Sequence, residues 1–335
     1  MTESIAPDEA VDLYLKDRKP EVTKSTYRNH KYHLKRFLEW CEEAGFEDMS
    51  EMTGKRIYEY KIHRRDEGDV NSVTLSNQLS TFRVFLRFCE KLDFVEKGTA
   101  ESVMMPDIDP GENARDIAID SETAEEILDY LTKFEYATLR HALFYVLWHT
   151  GMRTGSVHSL DLDDYHPEEQ YLEVRHRPEQ GTRLKNKRSG EREVNLKAEV
   201  CEVLDDYIQM KRCQVEDDHG REPLFTTKSG RVYKSQIQKH IYTLTRPCHY
   251  TGECPHDRDL EDCEASTFDH ASKCPLSVSP HPIRRSAITA HLNADVPKEI
   301  TADRVNVSVD VLDKHYDARS ETEKRELRRG YLENI

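Results

Sequence analysis

From Pro7 to about Met105 the apolar residues recur at helical spacing. Leu75, Leu79, Phe82, Phe85, Leu86 and Cys89 return every three or four positions after a start at Asn71 or Ser72. Within Ser25–Glu43, Tyr27, Leu34, Phe37, Leu38 and Cys41 repeat the pattern, and Ile57 and Tyr60 follow a start at Thr53. Side chains three and four apart share one helix face, so each stripe has to be buried against another. Residues 1–105 are therefore predicted to form a small helical bundle.

Residues 106–116 are rich in Pro, Gly, Asp and Asn without periodicity, which marks a linker. A second domain, 117–335, opens with a helix capped by Asp120 or Ser121 and running through Leu131. The apolar run Ala142 to Trp148 predicts a buried helix ending at Thr150-Gly151. Tyr171 to Arg175 and Glu191 to Leu196 alternate around a polar turn and predict paired antiparallel strands. Helices resume with Val200, Val203, Leu204, Tyr207 and Ile208 on one face, and with Ile237, Ile241 and Leu244 on another. The fold class is mainly α with a small antiparallel β-sheet (α+β).

No apolar run approaches the roughly 18 residues of a membrane span, and residues 1–10 lack a secretory signal, so a cytoplasmic protein is expected. The formal charge is −15, which by itself disfavours nucleic acid. Its distribution matters more. Acidic residues such as Glu42, Glu43, Glu125, Glu126, Asp205 and Asp206 are expected on exposed helix faces, whereas Arg175 to Arg192 and Arg284-Arg285 are basic. An acidic shell around a basic cleft suits a salt-adapted, archaeal cytoplasm.

Four separated stretches carry chemistry. Arg153 follows Thr150-Gly151-Met152, Lys185 lies in the basic turn between the strands, His281 and Arg284 share a helix face, and Tyr316 follows Asp313-Lys314-His315. Two guanidinium groups match the charge that develops on a phosphodiester attacked in line, and a phenol, an imidazole and an amine can supply nucleophile and protons. Each piece alone has an ordinary reading: a turn arginine, a common His-x-x-Arg, a tyrosine packed beside Val309 and Leu312.

In this order the pieces resemble the tyrosine recombinases, the family of phage integrases and Xer recombinases, over Ile117 to about Ser320. His-Pro-Ile-Arg-Arg-Ser-Ala-Ile-Thr-Ala-His-Leu is the most specific match, and the N-terminal helices resemble that family's core-binding domain. The resemblance implies that Arg153 and Arg284 clamp a scissile phosphate and that His281 assists proton transfer. It also implies that Lys185, or Lys187 in another register, protonates the leaving 5′ oxygen, and that Tyr316 forms a 3′-phosphotyrosine without a catalytic cofactor. Two positions depart from the family pattern. Ser156 stands where an acidic residue is usual. Aligning Val309 puts Asn306 at the His or Trp of a Gly-His-like motif. The implied partner is double-stranded DNA, with a dimer or tetramer assembled on it, and the expected contacts are Lys24, Arg28, Lys31, Arg83, Arg87, Arg183, Lys187, Arg188 and Arg285.

Half of the eight cysteines fall in residues 246–279: Cys248, Cys254, Cys263 and Cys274. Thiolates and imidazoles suit a structural Zn²⁺, with His256 or His270 able to replace one cysteine. Ser320-Glu321-Thr322-Glu323 reads as a capping box opening a last helix, 320–335. Besides a recombinase, the sequence admits a catalytically weakened DNA-binding relative and a zinc-stabilised interaction module.

Overall fold

The computed structural model describes residues 2–66, 70–108, 119–294 and 296–315, with single positions 322, 325, 326 and 329. The chain divides into two compact units, Met1–Arg115 and Asp116–Ile335. The expected 320–335 helix falls almost entirely outside the described residues, as does most of the 106–116 stretch.

The first unit consists of α1 (Pro7–Arg18), α2 (Lys24–Ala44), α3 (Gly54–Asp66) and α4 (Ser72–Lys91). Caps set the starts: Thr23 accepts a hydrogen bond from the Thr26 amide at 3.1 Å and Asn71 from the Thr74 amide at 2.8 Å. The predicted stripes meet in one aromatic core, in which Phe37 lies 4.8 Å from Phe82 and 5.5 Å from Tyr60, ring centre to ring centre.

The second unit begins with α5 (Ser121–Phe134), α6 (Leu139–Thr150) and α7 (Thr154–Ser159), then β1 (Tyr165–His166), β2 (Tyr171–Val174) and β3 (Arg192–Asn195). β2 pairs antiparallel with β3, Leu172 facing Val194, as the alternation required. There follow α8 (Ala198–Met210), the short hairpin β4 (Thr226–Thr227) and β5 (Gly230–Arg231), α9 (Lys234–Leu244) and α10 (Pro247–Tyr250). α11 (Pro280–Asn293), α12 (Lys298–Val305) and α13 (Val309–His315) end the described fold. Ile288, Leu292, Ala302, Val305 and Leu312 bury one another and tie these last three helices together. Among the described residues no helix is long and apolar enough to cross a membrane.

Two charge expectations change. Asp205 and Asp206 are half-buried acceptors, of the Tyr165 hydroxyl at 2.9 Å and the Tyr136 hydroxyl at 2.6 Å. Part of the basic stretch is internal: Arg177 forks onto the fully buried Asp164 at 2.9 and 2.6 Å, and Arg221 and Arg231 close on Asp161 and Asp217. A buried carboxylate is tolerable only when paired in this way. Arg183, Lys185, Lys187 and Arg188 remain exposed.

Burial, the leading cause in each case, holds His141, His149, His158, His240 and His291 down to about 4. His141 uses its bare Nδ1 to accept the Ala137 amide at 3.1 Å, which suits a neutral ring. Unfolded histidines titrate at about 6.5, so on acidification the unfolded chain binds protons first. Stability is therefore complete above about pH 6.5 and lost as the pH falls towards 4. The loss grows as the pH falls further below that point, so a lower Tm is expected at about pH 5 than at pH 7. Calorimetry of the full chain checks this; a Tm unchanged between pH 7 and 5 contradicts it.

Candidate active site

Gly151 organises the first arginine. It ends α6 in the left-handed region at φ 59°, and a Cβ there would meet Val305 Cγ1 at 3.1 Å and Ile288 Cγ1 at 3.5 Å. Only glycine allows both the turn and this close approach of α11 and α12. Two residues on, Arg153 caps α7 and sends Nη1 to the Asn306 carbonyl at 2.9 Å. Arg284 comes from the first turns of α11, where Pro280 sits at the helix start, and it is 1 % exposed. Its Nη1 donates to the Gly151 carbonyl at 2.5 Å and its Nη2 to the Val305 carbonyl at 2.8 Å. The two arginines, 131 positions apart in sequence, thus grip adjacent carbonyls at the end of α12.

Burial first, then the charges of Arg284, Lys185, Arg153 and Arg285, lower His281 below its ordinary value. Four cations therefore act on one imidazole that keeps access to solvent. Lys185 is one of them and is exposed in the β2–β3 connection, whereas Lys187 lies two residues on with left-handed backbone at φ 53°. Tyr316 lies outside the described residues; α13 stops at His315, the position before it.

The environment of Asn306 changes its reading. It terminates α12 at φ 55°, its amide reaching the Asp303 carbonyl at 3.0 Å while the Val307 amide reaches the Ala302 carbonyl at 3.0 Å. That left-handed helix stop is where the glycine of a Gly-His pair would sit, and asparagine is the side chain that tolerates it next best. On this register Val307, not Asn306, stands at the histidine position. The Asn306 side chain has other work: its Oδ1 accepts from the side-chain Nδ2 of Asn186 at 2.6 Å and lies 3.5 Å from Arg153 Nη1, and its Nδ2 donates to the Ser189 carbonyl at 2.7 Å. It ties the lysine-bearing connection to the first arginine.

Sequence reasoning overlooked Arg192. Its Nε donates to the Arg304 carbonyl at 2.8 Å and its Nη1 to the Gly190 carbonyl at 2.9 Å. Burial, then the Arg284 and Arg153 charges, bring its guanidinium down to about 10. The signal was available: on β3, Arg192 shares parity with the buried Val194 and so faces inward. Three guanidinium groups crowded at low dielectric favour an anion between them.

The other predicted contacts divide. Lys24, Arg28 and Lys31 are exposed along α2. Arg83 Nη2 donates to the Val103 carbonyl at 2.8 Å, and Arg87 pairs with Glu101 at 2.9 Å, so both have partners inside the first unit. Arg285 is half-buried on α11 beside His281, and Ser156 is buried on α7 with its carbonyl accepting the Ser159 hydroxyl at 2.7 Å.

Replacing Asn306 by Gly keeps the helix stop and removes the amide. A lost hydrogen-bonded bridge of this kind costs about 1–3 kcal/mol, so turnover by the Asn306→Gly variant should fall roughly 10-fold or more. DNA affinity, followed by fluorescence anisotropy, should hardly change. Undiminished turnover would mean that the bridge positions nothing.

Residues 118–306 match the phage integrase family, and residues 12–91 match the phage integrase N-terminal SAM-like domain. The chain is 24% identical over 239 residues to the tyrosine recombinase XerC of Neisseria meningitidis serogroup C, covering 70% of this chain and 72% of that protein. Its fold is similar to the Tn1549 transposon integrase in complex with a circular intermediate DNA, with TM-score 0.69 and 15% identity over 97% of this chain and 99% of that one. It is also similar to a lambda integrase tetramer bound to a Holliday junction, with TM-score 0.63 and 12% identity over 95% and 80% of the two chains. At these identities the structural likeness is one of fold.

Proposed function

The chain belongs to the phage integrase family, and from that premise we propose that it is a site-specific DNA recombinase of the tyrosine type. The carrying observation is the convergence of Arg153, Arg284 and Arg192 beside His281 and Lys185 at the end of α12.

The chemistry follows from the groups. The Tyr316 oxygen attacks phosphorus and loses its proton; a bond from phosphorus to that oxygen forms as the bond to the 5′ oxygen breaks. Lys185 gives a proton to the departing 5′ oxygen, and the guanidinium groups stabilise the charge spread over the non-bridging oxygens. His281, held neutral near pH 7, can donate a hydrogen bond to the phosphate or move the phenolic proton. A 5′ hydroxyl from a second strand then attacks the 3′-phosphotyrosine, and the number of phosphodiester bonds is conserved. The partner is duplex DNA, gripped through phosphates by Arg183, Lys187 and Arg188 on the connection and by Lys24, Arg28 and Lys31 on α2. Strand exchange joins two duplexes, so two or four copies act together, in line with the tetramer of lambda integrase.

Incubating the full chain with a duplex nicked near the cleavage site, so that the cut end diffuses away, tests the reading. A denaturation-resistant protein–DNA adduct is expected. DNA binding without an adduct would favour the second reading, a DNA-binding relative with lost catalysis, for which Val307 and Ser156 at the two departing positions speak.

A further inference from the structure

The 246–279 insert folds without a core to account for it. It contains α10 and two single 3₁₀ turns, Glu264–Ser266 and Ala271–Lys273, and its buried apolar side chains are Ala265, Ala271 and Val278. Two alanines and a valine bury few methylenes. That is too little to offset the conformational entropy lost in ordering more than thirty residues of backbone. The base of the loop is secured: Thr245 Oγ1 accepts the Val278 amide at 2.9 Å. The apex needs another tie.

What the apex contains is sulfur. Cys248, Cys254, Cys263 and Cys274 are all unoxidised and half-buried, and all four line one cavity of about 10 Å³, room for a single small particle. Arg246 and Arg258 line the same cavity, and Arg246, 5 % exposed, is anchored by donating to the Ala265 carbonyl. Buried guanidinium beside four thiols is the wrong company for an apolar pocket and the right company for a cluster of thiolates.

We propose that Cys248, Cys254, Cys263 and Cys274 bind one structural Zn²⁺ that closes the insert. Four thiols lose four protons to solvent and form four sulfur–zinc bonds of about 2.3 Å; the resulting net charge of the site, −2, is offset by Arg246 and Arg258. Among the described residues no three such side chains already surround a metal position, so binding draws the loop inward across the cavity. Three histidines lie nearby. His249 is engaged with Glu135 at 3.1 Å, and His270 contacts Thr267 Oγ1 at 3.1 Å and stands outside the cavity lining. His256 lines the cavity and is the one imidazole placed to compete. Because the insert leads directly into α11, the metal would also fix the approach to His281 and Arg284.

Metal content of the full, untagged chain, purified without chelator or a nickel column, tests this. About one zinc per chain is expected, released in step with mercurial titration of four thiols, and cobalt substitution should give thiolate charge-transfer absorption with tetrahedral bands. Cys263→Ser should lose metal and thermal stability, whereas Cys213→Ser, outside the insert, and His256→Ala should keep one zinc per chain. Wild-type protein without zinc overturns the site whatever the variants do. Zinc that survives Cys263→Ser but not His256→Ala overturns the four-thiolate assignment.

Discussion

Tyr316→Phe is expected to abolish covalent attachment to DNA while leaving binding, which rests on phosphate contacts, within about twofold of the wild type. The substitution keeps the ring and removes one oxygen, and in the proposed reaction that oxygen is the only protein atom that bonds to phosphorus. Removing a group that acts only in the reacting state lowers the rate by about a thousandfold or more. The exposed cations proposed to grip the DNA, Arg183, Lys187 and Arg188 among them, are untouched. Adduct formation on the nicked duplex reads the first quantity and anisotropy at fixed salt the second, fixed because phosphate contacts weaken steeply as salt rises. A phenylalanine variant that still traps DNA removes Tyr316 from the nucleophile's role. A variant that neither traps nor binds shows that the hydroxyl was holding the fold instead.

What could be read from the sequence was whatever is periodic or local. The stripe Leu75, Leu79, Phe82, Phe85, Leu86, Cys89 fixes a helix because each turn repeats the same demand for burial, and α4 carries all six inside. The alternation around Leu172 and Val194 likewise marked β2 and β3 as paired antiparallel strands. α12 escaped notice because its buried side is Thr301, Ala302 and Val305, too short and too weakly apolar for a stripe. Asn306 could be read only as a side chain; that its backbone is left-handed depends on α12 ending there, which moves the histidine position of the motif to Val307. Arg177 could be read only as part of a basic stretch because its partner Asp164 lies 13 residues away, on a turn whose burial is a tertiary fact. Arg153 and Arg284 were recognisable by their motifs. Their meeting point, the carbonyls of residues 305 and 306, was not, since backbone acceptors leave no trace in side-chain identity.

The second large effect belongs to Arg284. Its guanidinium spends two N–H groups on the Gly151 and Val305 carbonyls and so fastens the turn after α6 to the end of α12. A lysine keeps the charge but is a single point donor, and it cannot span both carbonyls in one plane. Arg284→Lys should therefore lower Tm, because one buried carbonyl is left unsatisfied at about 1–3 kcal/mol. The same variant should slow adduct formation by about 100-fold or more, the usual consequence of removing one preorganised donor to a developing oxyanion. Temperature separates the two losses. If Arg284 only braces the fold, Arg284→Lys assayed well below its own Tm recovers the wild-type rate. If the arginine also holds the phosphate, the rate stays low wherever the protein is folded, and DNA affinity stays nearly unchanged because the exposed cations still supply it. Full recovery in the cold would leave Arg153 and Arg192 as the clamp and reduce Arg284 to the strut that sets the distance between them.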